Sequence, residues 1–249
     1  MNAPRRKLLV ISVLLSSLGL VACQPAEETG FRAGTPLDDL PAWISPLLAA
    51  GVRPDWSADS SRLVYLDALV GDVHELDLAT GESRPLTGHF EHHGFTRARY
   101  LHSGDLLLCG PAGASDAAAE NGGWQTELWF LPRDGLGPGQ RLNEPCFEGP
   151  AVSRRDMRIA WTRSDYPDKI VFARSEIWLG RIEVIAGEAS ITDKRKLVER
   201  KDFMYLAFLE TQDFRPPEEE ELLFTAYAYK GGEAMGVNIE SGELINYSR

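Results

Sequence analysis

The strongest constraint on how this chain folds is a pattern that returns along it. Pro54-Asp55-Trp56-Ser57-Ala58-Asp59-Ser60 leads into Arg62-Leu63-Val64-Tyr65-Leu66, and after a break at Gly71 comes Val73-His74-Glu75-Leu76-Asp77-Leu78. The turn Ala79-Thr80-Gly81-Glu82 hands over to Ser83-Arg84-Pro85-Leu86-Thr87. Asp and Ser close turns by bonding nearby backbone, and Gly supplies backbone conformations other residues avoid. The stretch therefore reads as four short strands joined by tight turns. Its end returns as Asn238-Ile239-Glu240-Ser241-Gly242-Glu243. Its beginning returns as Pro150-Ala151-Val152-Ser153-Arg154-Arg155-Asp156, with Val152 where Trp56 stands and the Asp one place later.

The rest of the chain keeps this rhythm. Beyond Ala50 no long amphipathic helix is written into the sequence. A second unit starts near Gly94, with strands expected at Phe95 to Leu101, Leu106 to Cys109, Thr126 to Leu131 and near Arg141-Leu142. A third carries Arg158 to Thr162, Glu176 to Val184 and Lys196 to Val198, and a fourth Tyr205 to Glu210, Leu222 to Tyr227, Met235 to Ile239 and Leu244-Ile245-Asn246. Four-stranded repeats of roughly 40–55 residues are the mark of propeller blades. The expected fold class is all-β, a β-propeller of four-stranded blades with about four blades present. A β-sandwich shares the strand spacing but not the repeated motif.

The first unit resembles the TolB-type propeller repeat, also called the WD40-like or PD40 repeat. That family's pattern is Pro, any residue, Trp-Ser-Pro-Asp-Gly, a strand, Asp-x-x-Thr-Gly, then Leu-Thr. Here Ala58 replaces the second Pro and Ser60 the Gly. The resemblance runs from about Gly51 to the C-terminus and is weakest in the second unit. It implies a ring that usually has six blades. Four blades are read three ways: a small closed ring, an open arc that associates with another copy, or a truncated form of a longer sequence. The last is favoured, because the chain stops straight after the fourth unit's final strand. An open arc would leave apolar blade faces uncovered and invite self-association. TolB proper carries an α/β domain ahead of its propeller, for which the 27 residues between Cys23 and Gly51 leave no room, so the chain reads as TolB-like and not TolB itself.

The N-terminus reads as an address. Arg5, Arg6 and Lys7 precede a short apolar run from Leu8 to Leu20, ending in Leu20-Val21-Ala22-Cys23. Spanning a bilayer takes about 20 apolar residues, so the run fits a secretory signal rather than an anchor helix. The final four residues resemble the bacterial lipobox, which implies residues 1–23 as a lipoprotein signal and lipidation at Cys23. Gln24 follows with no Asp, which fits delivery to the outer membrane, facing the periplasm. Residues 24–50 are a polar tether and lead-in, and residues 51–249 hold the repeats. The whole chain carries −11; without the signal's three cations, 23 basic residues face 37 acidic ones, a net −14. Such a surface is repelled by anionic headgroups and by nucleic acid, so lipid would hold the protein to its membrane and nucleic acid is not an expected partner.

Candidate chemistry is sparse. His89, His92 and His93 crowd one loop between the first two units, and imidazoles bind divalent transition metals well. Glu91, His102 or Gln125 could complete a shell. Some propeller lyases acting on uronate sugars use a histidine-bound metal, which gives the alternative of a metal-assisted lyase or hydrolase on acidic saccharides. The plainer reading of these histidines is a solvated or packing loop, with no cofactor. Cys109 and Cys146 are the thiols left beside Cys23, and blade geometry allows a disulfide between them in an oxidising compartment, with two buried free thiols as the other reading. Trp56, Trp124, Trp129, Trp161 and Trp178 are expected to pack between blades. The sequence holds no Gly-x-Ser-x-Gly elbow, phosphate-binding glycine loop or Cys-x-x-Cys pair. The leading function is therefore a lipid-anchored binding or scaffold module for an envelope protein, peptide or glycan.

Overall fold

A computed structural model describes residues 34–111, 126–165, 174–204, 207–228 and 231–248. Cys23, Trp124 and Gln125 lie outside these residues. Residues from Pro46 onward form one compact body, which begins five residues ahead of Gly51. Among the described residues no helix is long and apolar enough to cross a membrane.

The body is built from antiparallel strands that assemble four blades, as the repeats imply. Blade 1 is the sheet β1 (Val52–Trp56), β2 (Arg62–Leu66), β3 (Val73–Asp77) and β4 (Ser83–Pro85), hydrogen-bonded in chain order. A seven-stranded sheet follows: β5 (Arg97–Tyr100), β6 (Leu106–Pro111), β7 (Thr126–Leu131), β8 (Gln140–Val152), β9 (Arg158–Ser164), β10 (Ser175–Ile185) and β11 (Glu188–Glu199). Blade 4 is β12 (Phe208–Phe214), β13 (Glu221–Ala228), β14 (Gly231–Asn238) and β15 (Leu244–Asn246).

The seven-stranded sheet is two blades sharing one strand. The sequence places a strand near Arg141-Leu142 and a new unit at Pro150, whereas β8 runs unbroken through both. Its first half pairs with β7, Thr126 opposite Cys146, and its second half pairs with β9, Ala151 opposite Ala160. The ladder shifts register between Phe147 and Ala151, and Asn143 and Glu148 adopt positive φ of 51° and 63°. Such irregularities bend and twist a strand. They turn β8 from the outer strand of blade 2 into the inner strand of blade 3.

Recurring residues make recurring turns. Asp77 Oδ1 accepts the Ala79 and Thr80 amides at 2.9 and 3.0 Å, and Asn238 Oδ1 accepts those of Glu240 and Ser241 at 3.1 and 2.8 Å. Gly81 and Gly242 close these turns at φ 75° and 74°, where any Cβ is strained. Ser60, standing where the family repeat has Gly, takes φ 57°.

Each interface between blades holds an apolar layer. Val64, Leu66 and Val73 of blade 1 meet Ala98, Tyr100, Leu106 and Leu108 of blade 2. Leu107, Cys109, Leu128 and Phe130 meet Val152, Ile159 and Trp161 of blade 3. Ala151, Ile177 and Leu179 meet Leu209, Leu222 and Phe224 of blade 4. Blade 2 is covered on both faces, so every residue of β6 and β7 is buried. Fully burying one such aliphatic or aromatic side chain contributes about 1.5–3 kcal/mol. The inner strands pack in succession, β1 on β5, β5 on β8 and β8 on β12. Among the described residues β12 does not pack on β1 in the same way, so the four blades form an arc with no closed ring.

Part of the lead-in packs on the blades. Leu48 packs on Leu63, Tyr65 and Leu76, the face of blade 1 turned away from blade 2. A Cβ at Gly51 would sit 2.8 Å from the Tyr65 ring.

One expectation about the core is reversed. Trp129 and Trp161 are buried as expected, but Trp56 is 48% exposed while its neighbour Asp55 is 4% exposed. The cause is a bulge in β1: the register steps from Val52 opposite Leu66 to Asp55 opposite Val64, with Arg53 at φ 55°. One extra residue inverts the in-out alternation that follows it.

Candidate functional site at the blade axis

The inverted alternation turns polar residues inward where the inner strands meet. At one level Arg53 (β1), Arg97 (β5), Glu148 (β8) and Glu210 (β12) converge, one from each blade. Glu148 Oε2 lies 3.3 Å from Arg97 Nη2 and 3.6 Å from Arg53 Nη2. Both arginines also donate to the Thr96 carbonyl, at 2.6 Å from Arg53 and 3.3 Å from Arg97. Gly149 makes room for this arrangement, since a Cβ there would stand 2.2 Å from Arg97 Cγ. Glu210 accepts a 2.8 Å hydrogen bond from the Tyr227 hydroxyl. The Tyr227 ring stacks on Phe208, which meets Phe147 edge-on.

A second level joins the same four blades through Asp55, Arg99, Arg154 and Asp213. Asp55 accepts Arg154 Nη2 at 2.6 Å, the Tyr100 amide at 2.9 Å and Arg99 Nη1 at 3.2 Å. Arg99 reaches the Gln212 carbonyl at 3.4 Å, and Arg154 also donates to the Trp56 and Tyr100 carbonyls. Beside it, Glu219 of the β12–β13 turn accepts the Arg154 amide at 2.8 Å and the Ser153 hydroxyl. Pro150-Ala151-Val152-Ser153-Arg154 is thus where blade 3 is bolted to blades 1, 2 and 4.

Partial burial tunes these groups. Desolvation raises the Glu148 carboxyl above its ordinary value, against the pull of Arg97 and Arg53 and with the push of Glu210. Desolvation and the neighbouring charge of Arg53 lower the Arg97 guanidinium. Burial likewise raises Asp213, opposed by Arg99 and Arg154. Burial and the bond to Glu210 push Tyr227 up to about 12. Arg53, Arg97 and Arg99 each keep about a quarter of the side chain in solvent, so a ligand can reach them. The result is a fixed array of guanidiniums and carboxylates, suited to holding charged or hydroxyl-bearing groups in a set orientation.

None of these residues stands out in the sequence as a site. Charged residues alternate on short strands there, which reads as an ordinary solvent-facing edge. Their partners lie 43 to 113 positions away, beyond any local motif.

The histidines are placed apart from this array. His92 Nε2 lies 2.9 Å from Asp72 Oδ1, and its Nδ1 accepts the Gly94 amide at 2.9 Å, so both ring nitrogens are occupied. His89 bonds the Gly137 carbonyl at 3.0 Å and meets the Phe90 ring edge-on, while His93 is exposed. His102 bonds the Arg154 carbonyl at 2.8 Å. Among the described residues no three His, Cys, Asp or Glu side chains converge on a metal site. His92, Phe90, Phe95 and Trp129 instead form an aromatic cluster under the loop. Cys109 and Cys146 lie together in the core between blades 2 and 3, both as buried thiols.

No protein-family profile and no curated protein sequence matches this chain. Solved structures do. TolB from Acinetobacter baumannii superposes with a TM-score of 0.56 at 12% identity, over 80% of this chain and 43% of that one. A chain of a nidogen/laminin complex gives 0.55 at 11% identity, over 80% and 65%. A puromycin-hydrolysing peptidase of Mycobacterium tuberculosis gives 0.51 at 15% identity, over 79% and 29%. This chain therefore spans less than half the length of the A. baumannii TolB it resembles. At these identities the likeness is one of fold, and the fold is a TolB-like β-propeller arc.

Proposed function

We propose that this chain is a binding or scaffold module for an envelope protein, peptide or glycan, held at the bacterial outer membrane by lipid on Cys23 and facing the periplasm. The observation that carries the binding reading is the axial array, in which blades 1, 2 and 3 present charged side chains fixed by one another at one place and blade 4 adds Glu210 and Asp213 beside them. Groups that are already oriented lose little freedom when a ligand docks. Propeller folds host many functions, so the fold adds only that such an axis is a suitable place for a site.

The test is capture from detergent-solubilised envelope with the wild-type chain and with Arg97→Ala/Arg99→Ala. The wild type is expected to retain a partner that the double variant loses, with both proteins assayed well below the variant's own, lower melting temperature, since both arginines are also ion-paired within the array. Equal capture by both proteins overturns the axial reading. Cys23→Ala tests the anchor separately: it is expected to move the protein from the membrane to the soluble fraction, and unchanged fractionation contradicts lipidation.

A further inference from the structure

Two thiols lie directly beneath the axial array. Cys109 stands opposite Arg97 in the β5–β6 ladder, and Cys146 lies two residues before Glu148 on β8. On β7 their ladder partners are Leu128 and Thr126, two residues apart and so on one face. In a flat sheet, β6 and β8 would be separated by two strand spacings of about 4.8 Å each. Here the bend of β8 folds it back so that it packs on β6 and β5 as well as on its ladder partner β7. The Cys109 sulfur comes to 3.6 Å from the Cys146 carbonyl oxygen, to which its thiol donates, and 3.1 Å from Thr126 Oγ1. Both are at most 2% exposed.

We infer that Cys109 and Cys146 are a redox pair, and that closing a disulfide between them locks the bend of β8 that brings Glu148 to Arg97 and Arg53. This regulation rests on the axial binding reading, but the bond itself does not. The chemistry is thiol–disulfide exchange with a disulfide-bearing oxidant, such as glutathione disulfide. The Cys109 thiolate attacks one oxidant sulfur, forming a mixed disulfide and expelling one glutathione thiolate. Cys146, losing its proton, then attacks the Cys109 sulfur and expels the second. Two electrons pass to the oxidant, and the two cysteine protons end on two glutathione thiols.

Cys109 is the suited attacker. Burial opposes its ionisation, yet the side chains of Cys146, Thr126 and Thr96 beside it together hold its thiol below the ordinary value. Burial and the neighbouring Cys109 push Cys146 well above it. Because both sulfurs are shielded in the folded protein, the exchange belongs to folding or to a local opening of β8.

The experiment is refolding of the purified chain from denaturant in a mixture of reduced glutathione and glutathione disulfide, followed by alkylation and non-reducing peptide mapping. A Cys109–Cys146 linked peptide is expected, absent from Cys109→Ser and from Cys146→Ser. Both thiols fully alkylated after refolding overturn the pair. If the chain does not refold, the same map on chain exported to an oxidising compartment and denatured directly in alkylating agent decides it in the same way. Hydrogen exchange then tests the link to the array: reducing the bond is expected to speed exchange at residues 146–149 by about tenfold relative to β13. Equal rates in oxidised and reduced protein overturn that link. Partner capture by the Arg97 variants is read independently, so this inference and the binding reading can fail separately.

Discussion

Replacing Asp55 by Ala should destabilise the fold far more than replacing Trp56, although Trp56 is much the larger side chain. Asp55 is 4% exposed and accepts three hydrogen bonds from two other blades, at 2.6, 2.9 and 3.2 Å. Removing one partner of a buried ion pair costs about 3–5 kcal/mol, because the remaining charges lose their counterpart. Arg154 is 40% exposed and Arg99 25%, so water recovers part of that loss. The orphaned Tyr100 amide, which is buried, adds about 1–3 kcal/mol. A net cost of about 3–4 kcal/mol follows for Asp55→Ala. Trp56, 48% exposed, should cost about 1 kcal/mol or less on truncation to Ala. Asp55→Asn, which keeps an acceptor for the amide but not the charge, should fall between. Urea denaturation followed by circular dichroism measures all three variants. A large loss for Trp56→Ala with a small one for Asp55→Ala would refute the bulge in β1 and the alternation built on it.

Other outcomes follow from the same geometry. Glu148 has its carboxyl raised by burial, so the folded state binds that proton more tightly than the unfolded chain does. Its contribution is fully present below the unfolded value and is lost as pH rises through the folded one, so Glu148→Gln should gain stability relative to wild type as pH climbs above the ordinary carboxyl value of 4.5; a difference independent of pH would contradict this. Gly149→Ala should cost about 1–3 kcal/mol by forcing Arg97 off β8, and should lower partner capture, both readable in one melting and pull-down series. Gly81→Ala and Gly242→Ala should each cost roughly 1 kcal/mol, and by similar amounts, because the two turns have the same geometry; unequal melting shifts would break that equivalence.

Much of the architecture is legible in the sequence because blades are local. Asp77 to Glu82 and Asn238 to Glu243 announce the same turn twice, and each turn is made by residues within a few positions of one another. The all-apolar runs of β6 and β7 likewise mark a blade covered on both faces. What stays hidden is set by single irregular residues. Arg53, Asn143 and Glu148 adopt positive φ without being glycines, so no residue type announces the bulge that exposes Trp56 or the bend that makes β8 one strand instead of two. The axial array is hidden for a different reason. Asp55 finds Arg154 across 99 positions, and only the arrangement of all four blades brings them together. Conversely, three histidines close in sequence look like a site, yet backbone and Asp72 claim the ring nitrogens of His92, and Gly137 takes His89.

The convergence of non-adjacent blades is tested most directly by a double-mutant cycle between Asp55 in blade 1 and Arg154 in blade 3, using Asp55→Ala, Arg154→Ala and the double variant in urea denaturation. Their 2.6 Å ion pair predicts a coupling energy of about 1–3 kcal/mol. Losses that simply add, within about 0.3–0.5 kcal/mol, would mean the two residues do not meet and that the blades do not gather on a common axis.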